Sequence, residues 1–556
     1  MNFIKKSPIL YYLFFLTLTI ILYFNTYKAG FVTDFLGWQS NFDNYPFLSV
    51  IDGEAYNIKS FYHFTHLLMY AMTSAFRLWG LPWFLLFSAL FAFNAFLVFK
   101  IFLRIFKGLH LNNHFSIAFI GVLMFMLSPY HSEVMVWRAS FHYLTAFSMM
   151  LLIIDVSLRY VDKPHNRYGL IAVMIFACSI FSLEFFLFTP FVVLVFILFQ
   201  WLNFPRSFNI QATLGRFVGV PLLMIAGYFI LYKSTHGKWS AHYGSQNHTQ
   251  LLSPEAFATY GKYVAKYLGF IRYFKHTTKE SFYAYFNTPS VSWAIVCLVI
   301  IFSILGLVFF KKLTARNRLI FLNFGLFSLL LVPIMTLFFS YVLLTENDRY
   351  GYMASAFLFM GISLILSYLP KPLYYAFSVV FICISTFLTI KNTRLWAKSE
   401  KVMTTLIKNY RWWDTDKPVF ILNAPDSFEG MPMFRTFGDE SAVAEALELY
   451  QQRKLKAPMV EVAGYNMTAL DNGAHVRVDS LNQVFVTFNQ WGTWWWHKGN
   501  GASDYETPDY HIQFDYKGCG NCYKLTFKNN NDRILLFQTS DTLKEVDRTK
   551  WNVEQW

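Results

Sequence analysis

The sequence predicts a polytopic α-helical membrane domain over residues 1–390, crossing the bilayer about eleven times, and a soluble, strand-rich α+β domain over 391–556. Three observations carry this. Of 556 residues, 55% are hydrophobic and only 14% charged, against roughly 25% charged in an average soluble domain. Several windows hold about 18 or more residues nearly free of charge, the length a helix needs to cross a hydrocarbon core of roughly 30 Å. After Lys391 the pattern changes to short alternating runs broken by Asn, Gly and Asp.

The first run, "PILYYLFFLTLTIILYFNTY" (8–27), follows Lys5 and Lys6. It is too long for a signal-peptide core and lacks a small-residue cleavage site, so it reads as a retained anchor. Further apolar runs lie at 82–103, 114–129, 140–158, 168–183, 186–203, 214–233, 290–310, 318–337, 350–369 and 372–390. One more candidate, "FYHFTHLLMYAMTSAFRLWG" (61–80), decides the topology, because a crossing there would flip everything downstream. With Lys5 and Lys6 holding the N-terminus in the cytoplasm, leaving this segment out puts Lys100, Arg104, Lys107, Arg159, Lys163, Arg167, Arg206, Arg216, Lys311, Lys312, Arg316, Arg318 and Lys371 inside. The segment is then expected to lie along the outer surface as an amphipathic helix with His63 and His66 in water.

Under this threading the loops 28–81 and 234–289 and everything after about 391 are extracytoplasmic. Short inner loops and modest size favour a bacterial inner membrane, with the terminal domain periplasmic. That domain carries the strand-like runs "KPVFILNAP", "NQVFVTFNQW", "YKLTFKNN" and "RILLFQTS" and one clear helix, "DESAVAEALELYQQRK" (439–454). No 34-residue helical repeat is visible in it.

The net charge of +14 reflects the Lys and Arg of cytoplasmic loops rather than a nucleic-acid surface. Cys178, Cys297 and Cys383 lie in apolar runs and act as small hydrophobes. Cys519 and Cys522, in "CGNC", lack the second Cys or His pair of a structural zinc, and a disulfide across a turn is the better reading. "WGTWWWHKG" (491–499) suits core packing, bilayer docking or stacking on sugar rings. The triplets at Asn247 and Asn466 fit the glycosylation pattern but arise often by chance.

Ionisable groups gather at the outer ends of the spans: Asp34, Asp43, His131, Glu133, Asp348 and Arg349. Such clustering on one side points to an active site at the outer interface. A carboxylate there can take the proton of an attacking hydroxyl or hold a divalent cation. An Arg can clamp a phosphate that leaves with added negative charge. The segment "PEAFATYGKYVAKYLGFIRYF" spaces Phe257, Tyr260, Tyr263, Val264, Tyr267, Leu268, Ile271 and Phe274 at helical intervals, with Lys262 and Lys266 off the stripe, and reads as an interfacial helix. Its Lys residues either meet a lipid phosphate or merely shape the loop.

Six stretches, in order over residues 10–390, resemble the GT-C glycosyltransferases, in particular the protein O-mannosyltransferase-like branch without tetratricopeptide repeats. "FVTDFLGW" looks like the first external loop. "YHFTHLLMYAMTSAFRLWGLPWFLLFSALFAFNAFLVF" is similar to the surface helix and second span. "SPYHSEVMVW" resembles the pattern "HPxHxExVxW", giving Pro129, His131, Glu133 and Trp137. "SLEFFLFTPFVVLVF" follows the next helix pair, "ATYGKYVAKYL" looks like "YxxYL", and "DRYGYMAS" resembles "ERYxYLPS", giving Asp348, Arg349, Tyr350, Tyr352 and Ser355. Asp34 is followed by Phe35 where many relatives carry two adjacent acids, and Glu184 stands where they often have Lys.

The resemblance implies a GT-C-like fold and transfer of a hexose or pentose from a polyprenyl-phosphate donor to a hydroxyl of a protein, glycan or glycolipid. It implies Asp34 as catalytic base and Arg349 with Tyr350 as ligands of the donor phosphate. Asp43, His131, Glu133 and Asp348 would line the cleft, where a divalent cation, Mg or Mn, is left open. Two rivals are a transporter or flippase of lipid-linked saccharides and a non-catalytic GT-C scaffold with a binding domain. The first needs ionisable groups near the bilayer midplane and often repeated halves; the sequence shows neither.

Overall fold

The computed structural model describes residues 7–52, 61–204, 208–237, 239, 253–334, 348–411, 415–434, 441–488, 494–496, 504–529 and 531–556. Among these, nine helices are long and apolar enough to cross a membrane, or ten if one bent pair counts as a single span. A polytopic helical membrane protein with a strand-rich C-terminal region is therefore what the chain builds. Over its described residues each of the eleven apolar runs falls on helical structure. The run at 168–183 forms only Asn166–Ile180, 15 residues long, and the run at 114–129 forms the first arm of the bent pair.

That pair, His114–Met126 and Pro129–Val136, bends by 56°. Proline at the start of the second arm has no N–H to give, and Ser128 before it is extended. The carbonyls freed by the break are recovered by side chains of a neighbouring helix. Thr389 Oγ1 donates to Leu127 O at 2.8 Å and Asn392 Nδ2 to Pro129 O at 2.9 Å. Inside the helical region Phe91, Phe125, Phe147 and Tyr352 pack ring on ring. The polar atoms among them are matched, with Asn94 Nδ2 donating to Leu144 O and the Tyr352 hydroxyl, and Ser148 Oγ donating to Asn94 Oδ1. By contrast Pro289–Phe309 exposes Leu298, Ile301, Leu305 and Leu307, as a helix facing lipid should.

The segment 61–80 forms His63–Phe76, 14 residues and too short to cross. One expectation for it is corrected. His63 is partly exposed, but His66 is fully buried, its Nδ1 lying 3.2 Å from the Ile51 carbonyl. Burial pushes the His66 imidazole down to about 4, because a charge there would lose its water.

Contacts divide the chain into two units, one holding most of the helices and the other combining Lys28–Asn44 with Arg394–Trp556. The expected boundary at 390 falls within one continuous helix, Lys371–Asn409. Nothing between Lys391 and Asn409 breaks a helix, since the next Pro is Pro418. At about 1.5 Å per residue the 39 residues run well beyond a 30 Å core.

Among the described residues the second unit contains three sheets. In one, Val419–Ile421 lies between Ile534–Thr539 and Met459–Glu461 and is parallel to both, with Thr542–Glu545 antiparallel on one edge. The six-stranded antiparallel sheet runs Glu554–Gln555, Ala474–Ser480, Gln483–Phe488, Cys522–Phe527, Tyr510–Phe514, Tyr505–Glu506. Cys519 and Cys522 form a disulfide in the connection between two of its strands. The third sheet includes Ala424–Phe428, Ala463–Met467 and Trp494–Trp496. The remainder of "WGTWWWHKG" and Asn247 lie outside the described residues. Asn466 is buried in its strand and accepts from Ser427 Oγ and Gly430 N, which leaves no room for a glycan.

Candidate functional site

Three segments of the helical unit bring their ionised groups together. The second arm of the bent pair carries His131 and Glu133, and the helix Asp348–Leu366 begins with Asp348 and Arg349. The helix Pro254–Gly269 and the turn after it supply Lys266 and Arg272.

Arg349 is held by Glu133. Its backbone N–H donates to Glu133 Oε2 at 2.7 Å and its Nη1 to Oε1 at 2.5 Å. The guanidinium lies over the rings of Trp137, 4.7 Å from the centroid, and Tyr350, 4.5 Å away, and its Nη2 donates to the Tyr350 hydroxyl at 3.0 Å. The Glu133 side chain is 2% exposed and that of Arg349 15%. Asp348 is fully buried, and its Oδ1 accepts from Arg272 Nη1 at 2.7 Å and from Lys266 Nζ. Arg349 therefore pairs with Glu133 rather than with its neighbour Asp348. Glu346, the other acid of that stretch, lies outside the described residues.

His131 is buried, with Nε2 2.9 Å from Ser355 Oγ. The Ser355 hydroxyl also donates to the Tyr352 carbonyl at 2.7 Å. His131 thus joins two elements of the cluster.

The helix Pro254–Gly269 corrects the sequence stripe. Tyr260, Tyr263 and Tyr267 are buried as expected, but so are Lys262 and Lys266, while Val264 and Leu268 are exposed. Lys266 faces the buried Asp348, which compensates its charge, while the aliphatic Val264 and Leu268 are the exposed residues of this helix. Burial pulls the Lys266 ammonium down to about 8, with Arg272 adding to this and Asp348 opposing it. For Arg272 burial also works against the charge, but Asp348 and Tyr130 more than offset it and the pKa rises. Tyr130 caps both cations, 5.4 Å from Lys266 Nζ and 5.5 Å from the Arg272 guanidinium carbon. Gly351 lets the two helices meet, since a Cβ there would stand 2.6 Å from Tyr263 Cε1 and strike the Tyr267 hydroxyl.

No family model and no curated protein matches this chain. What the site can do must come from its own residues. Among the described residues three cations, Lys266, Arg272 and Arg349, face two carboxylates, Glu133 and Asp348. Arg349 is the member that reaches toward solvent.

Asp34 and Asp43 belong to the other unit. Asp34 is the exposed first residue of the helix Asp34–Asn44, following Thr33 at φ 52°. Asp43 is exposed and accepts from Gln39 Nε2 at 3.2 Å. That helix packs on Ala442–Gln451, with Glu445 3.2 Å from where a Cβ on Gly37 would be.

No three His, Cys, Asp or Glu side chains among the described residues assemble as metal ligands. Glu133 and Asp348 already spend their charge on Arg349, Lys266 and Arg272, an arrangement that does not suit a divalent cation. Arg272 was not singled out in the sequence. Its proximity to a Tyr-rich helix with two off-stripe Lys was the available signal.

Two other helices of the same unit, Gly80–Gly108 and Phe141–Asp162, form a second ionic group. Asp155 accepts from Lys100 Nζ at 2.8 Å and Arg159 Nε at 2.9 Å, and Arg104 meets Asp162. The basic residues the sequence assigns to the inner loops are thus in part matched by acids.

Proposed function

We propose that the protein is an integral-membrane glycosyltransferase of the GT-C type. It takes a hexose or pentose from a polyprenyl-phosphate carrier to an acceptor hydroxyl outside the cytoplasm. The observation that supports this reading is Arg349, held by Glu133 and by the rings of Trp137 and Tyr350 beside the buried Asp348, Lys266 and Arg272. In the reaction the acceptor oxygen bonds to the anomeric carbon as the bond from that carbon to the phosphate oxygen breaks. The electron pair stays on the phosphate, which leaves with added negative charge, and the acceptor proton passes to a base. A guanidinium already held in place by Glu133 would stabilise that charge as it develops with little reorganisation.

The finer topology belongs to the same reading: eleven crossings, the N-terminus in the cytoplasm of a bacterium, and a periplasmic terminal domain that holds a protein, glycan or glycolipid acceptor. Asp34 is the base that the resemblance implies, and its role is tested separately. The test is transfer from a labelled polyprenyl-phosphate sugar by protein in reconstituted vesicles. Arg349→Ala is expected to lower the rate about 10²–10³-fold, with Arg349→Lys recovering part of it, because Lys keeps the charge but loses the fork. Undiminished transfer by Arg349→Ala rejects the donor-phosphate role. Undiminished transfer by Asp34→Asn rejects only the base.

A further inference from the structure

Glu184 stands apart from that cluster, at the start of the span Glu184–Asn203. The chain reaches it through a docked surface helix. Phe64 N and Thr65 N both donate to Phe181 O, and Thr65 Oγ1 donates to Ser182 O at 2.9 Å, so the start of His63–Phe76 is fixed against the turn before Glu184. This places the Tyr62 hydroxyl 2.5 Å from Glu184 Oε1, to which it donates.

Beyond Tyr62 and its own backbone N–H, the Glu184 carboxylate has no partner among the described residues, and no Lys or Arg is within ion-pair reach. Tyr228 and Tyr232 lie within electrostatic reach of it. Their rings form an aromatic wall with Phe61, whose centroid is 5.6 Å from Tyr228 and 5.5 Å from Tyr232, and with Phe186, 5.0 Å from Tyr228. Glu184 itself is only partly buried.

A lone carboxylate at the end of an apolar span is costly unless something compensates its charge. Every other acid described in the helical unit's ionic groups has a cation: Glu133, Asp348, Asp155 and Asp162. Here no described Lys or Arg compensates the charge, and aromatic rings lie within electrostatic reach of it, the combination that recognises a cation. A neutral hydroxylated ligand would leave the negative charge as it is, whereas an ammonium cancels it.

We infer that Glu184, Tyr62, Tyr228 and Tyr232 form a binding site for a ligand carrying a primary ammonium group. The inference stands whether or not the transferase reading holds. The ammonium has two sources, a lipid headgroup or a free amino compound.

The test uses the full chain in phosphatidylglycerol nanodiscs, with thermal unfolding followed as ethanolamine or glucosamine is titrated against the neutral analogues ethylene glycol and glucose. Both amines are expected to raise Tm saturably, as a ligand of the folded state must, and the neutral analogues are not. The shift is expected to vanish in Glu184→Gln, which keeps an acceptor for Tyr62, and to persist in Asp52→Asn. Exchanging the lipid for phosphatidylethanolamine separates the sources. A Tm gain that Glu184→Gln lacks, with the free amines then silent, identifies the headgroup; an unchanged response to free amines identifies a soluble ligand. The site is refuted if neither amine nor phosphatidylethanolamine raises Tm, if the neutral analogues act equally, or if Glu184→Gln responds like the wild type. Should Glu184→Gln fail to fold, amine against neutral analogue on the wild type decides alone.

Discussion

Two buried carboxylates, one in each unit, are stabilised by opposite means. Asp348 in the helical unit has two cations on one oxygen, Arg272 and Lys266. Glu461 in the strand-rich unit has none among the described residues. Its Oε1 accepts from the Ser441 hydroxyl at 2.7 Å and from the Val443 N–H at 2.9 Å, which places it at the N-terminus of Ala442–Gln451 beside the Ser441 cap. Dipoles and a helix end favour a carboxylate modestly, whereas a full opposite charge in a low dielectric favours it strongly and is missed as strongly when removed. The comparison teaches that the helical unit has built a charged site, while the strand-rich unit has capped a helix.

The largest effect expected from this contrast follows loss of Arg272. Arg272→Met should strand Asp348 with Lys266, whose own charge burial already weakens, and destabilise the fold by about 3–5 kcal/mol. Adding Asp348→Asn should return most of that, because the stranded charge goes with it. Tm in detergent, measured as a double-mutant cycle, checks this. Additive single-variant losses would mean that the pair is not coupled and that the charged-site half of the comparison fails.

The Glu461 side is expected to show up as pH dependence. Burial, with Asp426 adding to it, raises the Glu461 carboxyl from 4.5 to about 7, against the hydrogen bonds from Val443 and Ser441. The folded state therefore binds the proton more tightly than the unfolded state. Stability is greatest below about pH 4.5, falls as pH rises to about 7, and is level above that, a total of about 3 kcal/mol. Glu461→Gln should abolish this slope and protect the strand Met459–Glu461 at pH 8. Hydrogen exchange of the full chain, corrected for the intrinsic rate at each pH, reads it. Equal slopes in wild type and variant would show that the carboxyl is ionised at no cost.

The sequence made the spans legible because composition alone drives them: an apolar run of about 20 residues has few other places to go. Ser128–Pro129 marked the break in one of them by proline chemistry. The change of composition at Lys391 lies close to the division of the two units at Thr393 and Arg394, but it does not mark a helix end, because the helix continues to Asn409. The stretch "DRYGYMAS" and the pair His131 and Glu133 were visible as chemistry, but the partners were not. Lys266, Arg272 and Asp348 meet only through tertiary closure across 76 residues, and burial of a Lys beside exposed Val264 and Leu268 runs against soluble-protein intuition. The parallel pairing of Val419–Ile421 with Met459–Glu461 was equally beyond a reading of alternation.

The smallest expected effect tests whether the charged site depends on close helix contact as well as on charge. Gly351 follows Arg349 by two residues, and a methyl group there meets Tyr263 and Tyr267, the residues that flank Lys266 in sequence. Gly351 has an ordinary helical backbone, so Ala should be favoured by propensity by about 1 kcal/mol; any loss is steric. Overpacking of this kind costs about 1–3 kcal/mol, and the displaced Tyr263–Tyr267 edge would carry Lys266 away from Asp348. Gly351→Ala is therefore expected to lower Tm in a wild-type background and to lower it less when Asp348 is already Asn. A gain in Tm from the alanine would show that the two helices can part without loss, and that ion pairing alone sets the geometry around Asp348.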